Sequence, residues 1–214
     1  MRRGATALLV AGVLLVLGPV GWWLTRPPAE EGGDAADRLA ASPPSARRSS
    51  STPRLSPTPA ALAPVRPVRL SIPAIGVQAR VVPVALKAGT GEMEVPTVDV
   101  VGWYRFGPAL GEMAGSTVIA GHVDDARQGA GAFFRLRQLG PGQRVSVAGS
   151  DGVQRTFRVV AREVFGKDAA PLDRLFGRDG APRLTLITCG GDFDRSRRSY
   201  QDNIVVTAIE EGRR

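Results

Sequence analysis

Arg183-Leu184-Thr185-Leu186-Ile187-Thr188-Cys189-Gly190-Gly191 reads as a buried strand that delivers a thiol at its end. Its aliphatic and β-branched residues favour an extended backbone. The glycines after the thiol punctuate the strand and would let the chain turn sharply, leaving the thiol accessible. A thiolate held there can attack a carbonyl and form a thioester. The same residues also suit a cysteine that only packs, because free Cys is among the most buried residue types.

A second stretch has the same grammar. Gly115-Ser116-Thr117-Val118-Ile119-Ala120-Gly121-His122-Val123-Asp124 is again an apolar strand that presents a polar side chain beside glycine. Cys189 and His122 are the only cysteine and the only histidine of the chain. No intramolecular disulfide can form, and neither residue has companions for a Cys/His zinc site. A thiol nucleophile needs a nearby base or cation, and imidazole serves best near neutral pH. A structural histidine remains the alternative. The basic segment Arg195-Ser196-Arg197-Arg198 offers guanidinium groups that can hydrogen-bond an oxyanion, or simply a solvated loop.

The pattern on either side of these stretches is mostly β. Val68–Ile72 and Arg144–Val147 alternate with period two. Val77–Val84, Thr117–Ala120, Val153–Val164, Leu184–Thr188 and Ile204–Ile209 are short β-branched runs between Gly and Pro. Asp151-Gly152 is a hairpin signal ahead of the longest of them. Helical stretches are few: Ala132–Leu139, and a short turn at Leu172–Phe176. Many short strands in one domain predict a sandwich or closed barrel.

The front of the chain differs. Arg2 and Arg3 precede an uncharged apolar run, Ala5 to Leu24, that is long enough to cross a bilayer and ends in Trp22-Trp23. Its length favours an anchor over a cleaved signal peptide, and the basic N-terminus places the chain beyond Leu24 outside the cytoplasm. Residues 25–66 are rich in Pro, Ser, Gly and Arg and almost free of large apolar side chains, which predicts a disordered tether. The domain is then 67–214. Of the 28 Lys/Arg and 20 Asp/Glu residues, eight and four fall in residues 1–66, so the net +8 divides evenly. The domain is only mildly basic and has no basic stripe interleaved with aromatics, which argues against nucleic acid as a partner. Asp124-Asp125 and Asp192/Asp194 are ordinary for turns and give no reason to expect a metal.

Leu186-Ile187-Thr188-Cys189 resembles the TLxTC signature of sortases, and Ala120-Gly121-His122-Val123-Asp124 their histidine segment. The resemblance runs from Arg69 to Ile209. Ile72-Pro73-Ala74-Ile75-Gly76-Val77, Val101-Gly102-Trp103-Tyr104-Arg105-Phe106-Gly107 and Tyr200-Gln201-Asp202-Asn203-Ile204-Val205-Val206 are most similar to the actinobacterial class F group. It implies an eight-stranded β-barrel with few helices and a Cys–His–Arg site without cofactor. The implied activity is cleavage of an LPXTG-like sorting signal after its Thr, through a thioacyl enzyme. The acyl group then passes to an amine, such as one on a cell-wall precursor. The implied partners are surface proteins with a C-terminal sorting signal, met by a monomer held in the membrane. Cys189 and His122 map cleanly. The arginine does not: Gln201 stands where many relatives carry it. Arg198 is the choice, with Arg197 as rival, on the expectation that the last strand starts early enough to set Arg198 on one side with Tyr200 and Asp202. By the same resemblance Ala120 and Ile187 line an apolar substrate groove and Thr188 supports the nucleophile. An L,D-transpeptidase would carry His next to Cys, and a papain-like protease would place Cys first. A silent β-barrel that binds wall components is the alternative from another class.

Overall fold

The computed structural model describes residues 37–38 and 63–212. The expected span over 1–24, and all of the tether except Asp37, Arg38 and 63–66, lie outside them. Among the described residues no helix is long and apolar enough to cross a membrane.

The strands are β1 (Pro67–Ile72), β2 (Val77–Val84), β3 (Val100–Tyr104), β4 (Ser116–Ala120), β5 (Asp124–Asp125), β6 (Gly129–Ala130), β7 (Arg144–Gly149), β8 (Gln154–Gly166), β9 (Arg183–Asp194) and β10 (Ser199–Glu210). Eight of them close a barrel in the order β1-β2-β3-β4-β9-β10-β8-β7, and β7 pairs back onto β1. The pairs β2–β3 and β4–β9 are parallel, the rest antiparallel. The barrel is filled by alternate residues of each strand, among them Leu70, Val101, Ile119, Val147, Leu184 and Val206, all of them fully shielded from solvent.

Three elements depart from the sequence reading. β3 is hidden from it because residues Val100–Trp103 are buried on both faces, so they show no alternation. Gly102 interrupts the run because a Cβ there would sit 2.7 Å from Val84 Cγ2 on the parallel neighbour. The expected helix Ala132–Leu139 is instead a series of turns ending in a 3₁₀ turn at Leu136–Gln138. Its apolar residues Phe133, Leu136 and Leu139 recur every three positions and are all fully buried. That is the period of a 3₁₀ winding, not of an α-helix.

The third correction concerns the strand that carries the thiol. β9 does not end at Thr188; it runs through Cys189 to Asp194, paired with β10 throughout. Gly190 pairs with Asp202, and Gly191, at φ +74°, forms a bulge that gives β9 one more residue than β10 between the pairs Asp202–Gly190 and Tyr200–Phe193. The glycines bend the ladder without reversing it. The reversal comes at Arg195–Arg198, where the Asp194 carboxylate accepts from the Ser196 and Arg197 backbone N–H groups at 2.8 and 3.1 Å. The short helix at Leu172–Leu175 and the hairpin over Asp151-Gly152 are found where expected.

Candidate active site

β9 inserts between β4 and β10, and its residues alternate strictly. Leu184 and Leu186 enter the core, so Thr185, Ile187 and Cys189 face outward. Residues opposite each other in a ladder share a face. Ala120 pairs with Ile187, and Ile187 with Val205. These make an apolar floor, in which Ile187 remains partly accessible. One row further along, Cys189 pairs with Asn203, which pairs with Phe165 of β8. On the other side, β4 ends at Ala120 opposite Ile187, and His122 follows two residues later in the connection that leaves the strand. The outer face therefore reads Cys189, Asn203, Phe165 across the sheet.

The histidine segment is fastened to the thiol strand from both of its peptide groups. The Gly121 N–H donates to the Ile187 carbonyl at 3.1 Å, and the Thr188 hydroxyl donates to the Gly121 carbonyl at 2.8 Å. Thr188 points inward and is buried, so its role is to hold β9 against the residue before His122. The His122 ring lies 3.0 Å, through Nε2, from the Val95 carbonyl. A carbonyl only accepts, so Nε2 carries the hydrogen and Nδ1 is left to exchange a proton. Val95 belongs to the strap between β2 and β3, whose turn is closed by the Lys87 N–H to the Glu92 carbonyl at 2.7 Å.

Burial pushes the Cys189 thiol above its ordinary pKa, partly opposed by the positive charge of Lys167; Glu92 and Asp124 add to the rise and Lys87 again opposes it. Lys167 follows β8, donates to Ser199 Oγ at 2.7 Å and stands 4.0 Å from Glu92 of the strap. Beyond His122, the Tyr200 hydroxyl donates to Asp124 at 2.6 Å, which raises the phenol to about 12. The Tyr200 ring meets Phe193 edge-on at a centroid distance of 5.2 Å, and Phe193 is half exposed. Arg183, at the foot of β9, is buried and donates to the carbonyls of Arg174, Asp179 and Ala181. It pins the connection between β8 and β9 beside the floor.

Cys189, Ala120 and Ile187 are thus brought to one face, with the segment that carries His122 tied to β9 through Gly121. Arg198 is not beside them. β10 begins at Ser199, and Arg198 is an exposed turn residue at φ 52°. It lies five positions before Asn203, or about 17 Å along a strand. The side it would have shared with Tyr200 and Asp202 alternates with that of Asn203, which faces Cys189. Arg197 is likewise exposed and turned toward Asp194 at 3.7 Å. Sequence reasoning misses Lys167, Tyr200, Asn203 and the Val95 carbonyl. The rarity of lysine is the one available flag, and a backbone carbonyl leaves none.

Among protein families, one described as the sortase domain matches residues 70–211. No curated protein matches the chain. Among solved structures, sortase C-1 from Actinomyces oris is 22% identical with a TM-score of 0.53, over 72% of this chain and 77% of that one. Streptococcus agalactiae sortase C1, solved in complex with MTSET, is 18% identical with a TM-score of 0.53, over 68% and 67%. At these identities the likeness is one of fold.

Proposed function

Because this chain belongs to the sortase family, we propose that it is a cysteine transpeptidase with Cys189 as nucleophile and His122 as proton carrier. The observation that supports the reading is that the segment bearing the lone imidazole is tied, through Gly121, to the strand that bears the lone thiol. The Cys189 sulfur, as thiolate, bonds to the substrate carbonyl carbon. The π pair moves to oxygen, and collapse of the tetrahedral species expels an amine that takes its proton from His122 Nδ1. An incoming amine returns a proton to His122 and releases the acyl group from sulfur. Burial holds the Cys189 thiol above its ordinary pKa, so its proton passes to His122 Nδ1 as the sulfur attacks.

The substrate we propose is an LPXTG-like sorting signal at the C-terminus of a surface protein, cut between Thr and Gly. The acceptor is an amine of a cell-wall precursor. The partly accessible Ile187 and the neighbouring Ala120 suit the apolar residues of such a signal. Residues 1–24 would anchor the chain in the cell membrane with residues 67–214 outside, and the segments around Trp103 and Asn203 favour the actinobacterial class F group. The test is a peptide library offered to the purified protein with a simple amine such as triglycine. Products joined to triglycine through a Thr carbonyl are expected. Cleavage at unrelated positions, or release that ignores the amine, would overturn the assignment.

A further inference from the structure

We infer that the carboxamide of Asn203 donates the hydrogen bond to the oxyanion formed at Cys189, the task that the family resemblance gives to an arginine. The inference rests on Cys189 being an acyl nucleophile, as proposed above.

Asn203 is the residue directly opposite Cys189 in the β9–β10 ladder. Directly opposed residues have their Cβ atoms about 4.5–5.5 Å apart on the same face. A carboxamide two bonds longer than the thiol-bearing carbon reaches over the sulfur, where the carbonyl oxygen of a bound acyl group gathers charge. Asn203 is partly exposed on the face that Cys189 occupies. Among the described residues its side chain has no hydrogen-bond partner, so both N–H groups are free to meet a ligand. The strand fixes its position without help from a loop, as a preorganised donor requires.

The other candidates fall short on placement. Arg198 and Arg197 sit at the tip of the hairpin. Lys167 is drawn toward Ser199 and Glu92, so it acts on the thiol as a field. Gln201 shares the face of Asn203 but lies one row nearer the tip and is exposed. The histidine segment lies along the β4 side of β9, and Asn203 on the β10 side. In the acylation step the S–C bond forms, the carbonyl π pair becomes the oxyanion held by Asn203, and the C–N bond breaks with the proton supplied from His122.

Two reagents that use the same thiolate test this. Iodoacetamide alkylates sulfur without an oxyanion; p-nitrophenyl acetate acylates it through one. Rates with the full-length chain in detergent are corrected by the Cys189→Ala background and expressed as acylation over alkylation, which cancels any change in thiolate fraction. Loss of one oxyanion donor costs about 10²–10³ in comparable sites, so a fall of about tenfold or more in this ratio is expected for both Asn203→Ala and Asn203→Leu. A smaller fall in either variant overturns the inference. Neither reagent needs a sorting motif, so failure of the peptide-library test would leave this result standing, and the reverse.

Discussion

At the residue scale, the site is a half-buried thiol whose pKa is raised by burial and partly held down by a lysine. Lys167 is the largest influence that lowers the Cys189 pKa against the upward push of burial. Lys167→Gln should therefore move the pH midpoint of iodoacetamide alkylation upward and slow the reaction near neutral pH, while Lys167→Arg should restore it. An unchanged midpoint in Lys167→Gln would show that the ammonium does not act on the thiol. The two residues that define the chemistry are legible because each is the only one of its type in the chain. Asn203 stands within a recognisable segment yet shows no role there, since which residue faces Cys189 depends on ladder register. A single bulge residue shifts that register.

At the element scale, the β9–β10 hairpin carries both the thiol and its neighbours, and its shape depends on the bulge. Gly191 sits at φ +74°, and a Cβ there would run into the Asp202 carboxylate. Gly142 sits at φ +86° with nothing near its Cβ position. Both substitutions to Ala should carry the left-handed strain, about 1–3 kcal/mol. Gly191→Ala should lose more stability in urea denaturation than Gly142→Ala, and should also lower peptide turnover. Equal losses would mean that the bulge yields without moving Asp202. Sequence periodicity finds the strands with one polar and one apolar face. It misses β3, where both faces are covered, and misreads Phe133–Leu139, where a period of three imitates a helix. It also reads the glycines after Cys189 as a turn, because local composition does not distinguish a bulge inside a long hairpin from a chain reversal.

At the scale of the whole molecule, closure of the barrel is what makes the site rigid. β1 pairs with both β2 and β7, and the core packed inside holds β4 and β9 side by side from their inner faces. The outer face is then free to present Cys189 and Asn203 side by side, next to the segment that carries His122. The class of architecture is legible from the count and spacing of short strands; the parallel β4–β9 pairing that joins the two reactive segments is not. Strands more than sixty residues apart leave no local signal of their pairing. The central claim is that Cys189 becomes acylated by a peptide and then gives up that acyl group to an amine. Intact-mass spectrometry of the chain mixed with an LPXTG-type peptide, quenched in acid before any amine is added, tests it most directly. The account predicts an adduct equal to the peptide up to its Thr, located on Cys189, removed by hydroxylamine or triglycine, and absent from Cys189→Ala. Cleavage of the peptide by Cys189→Ala, or an adduct on any other residue, would contradict it.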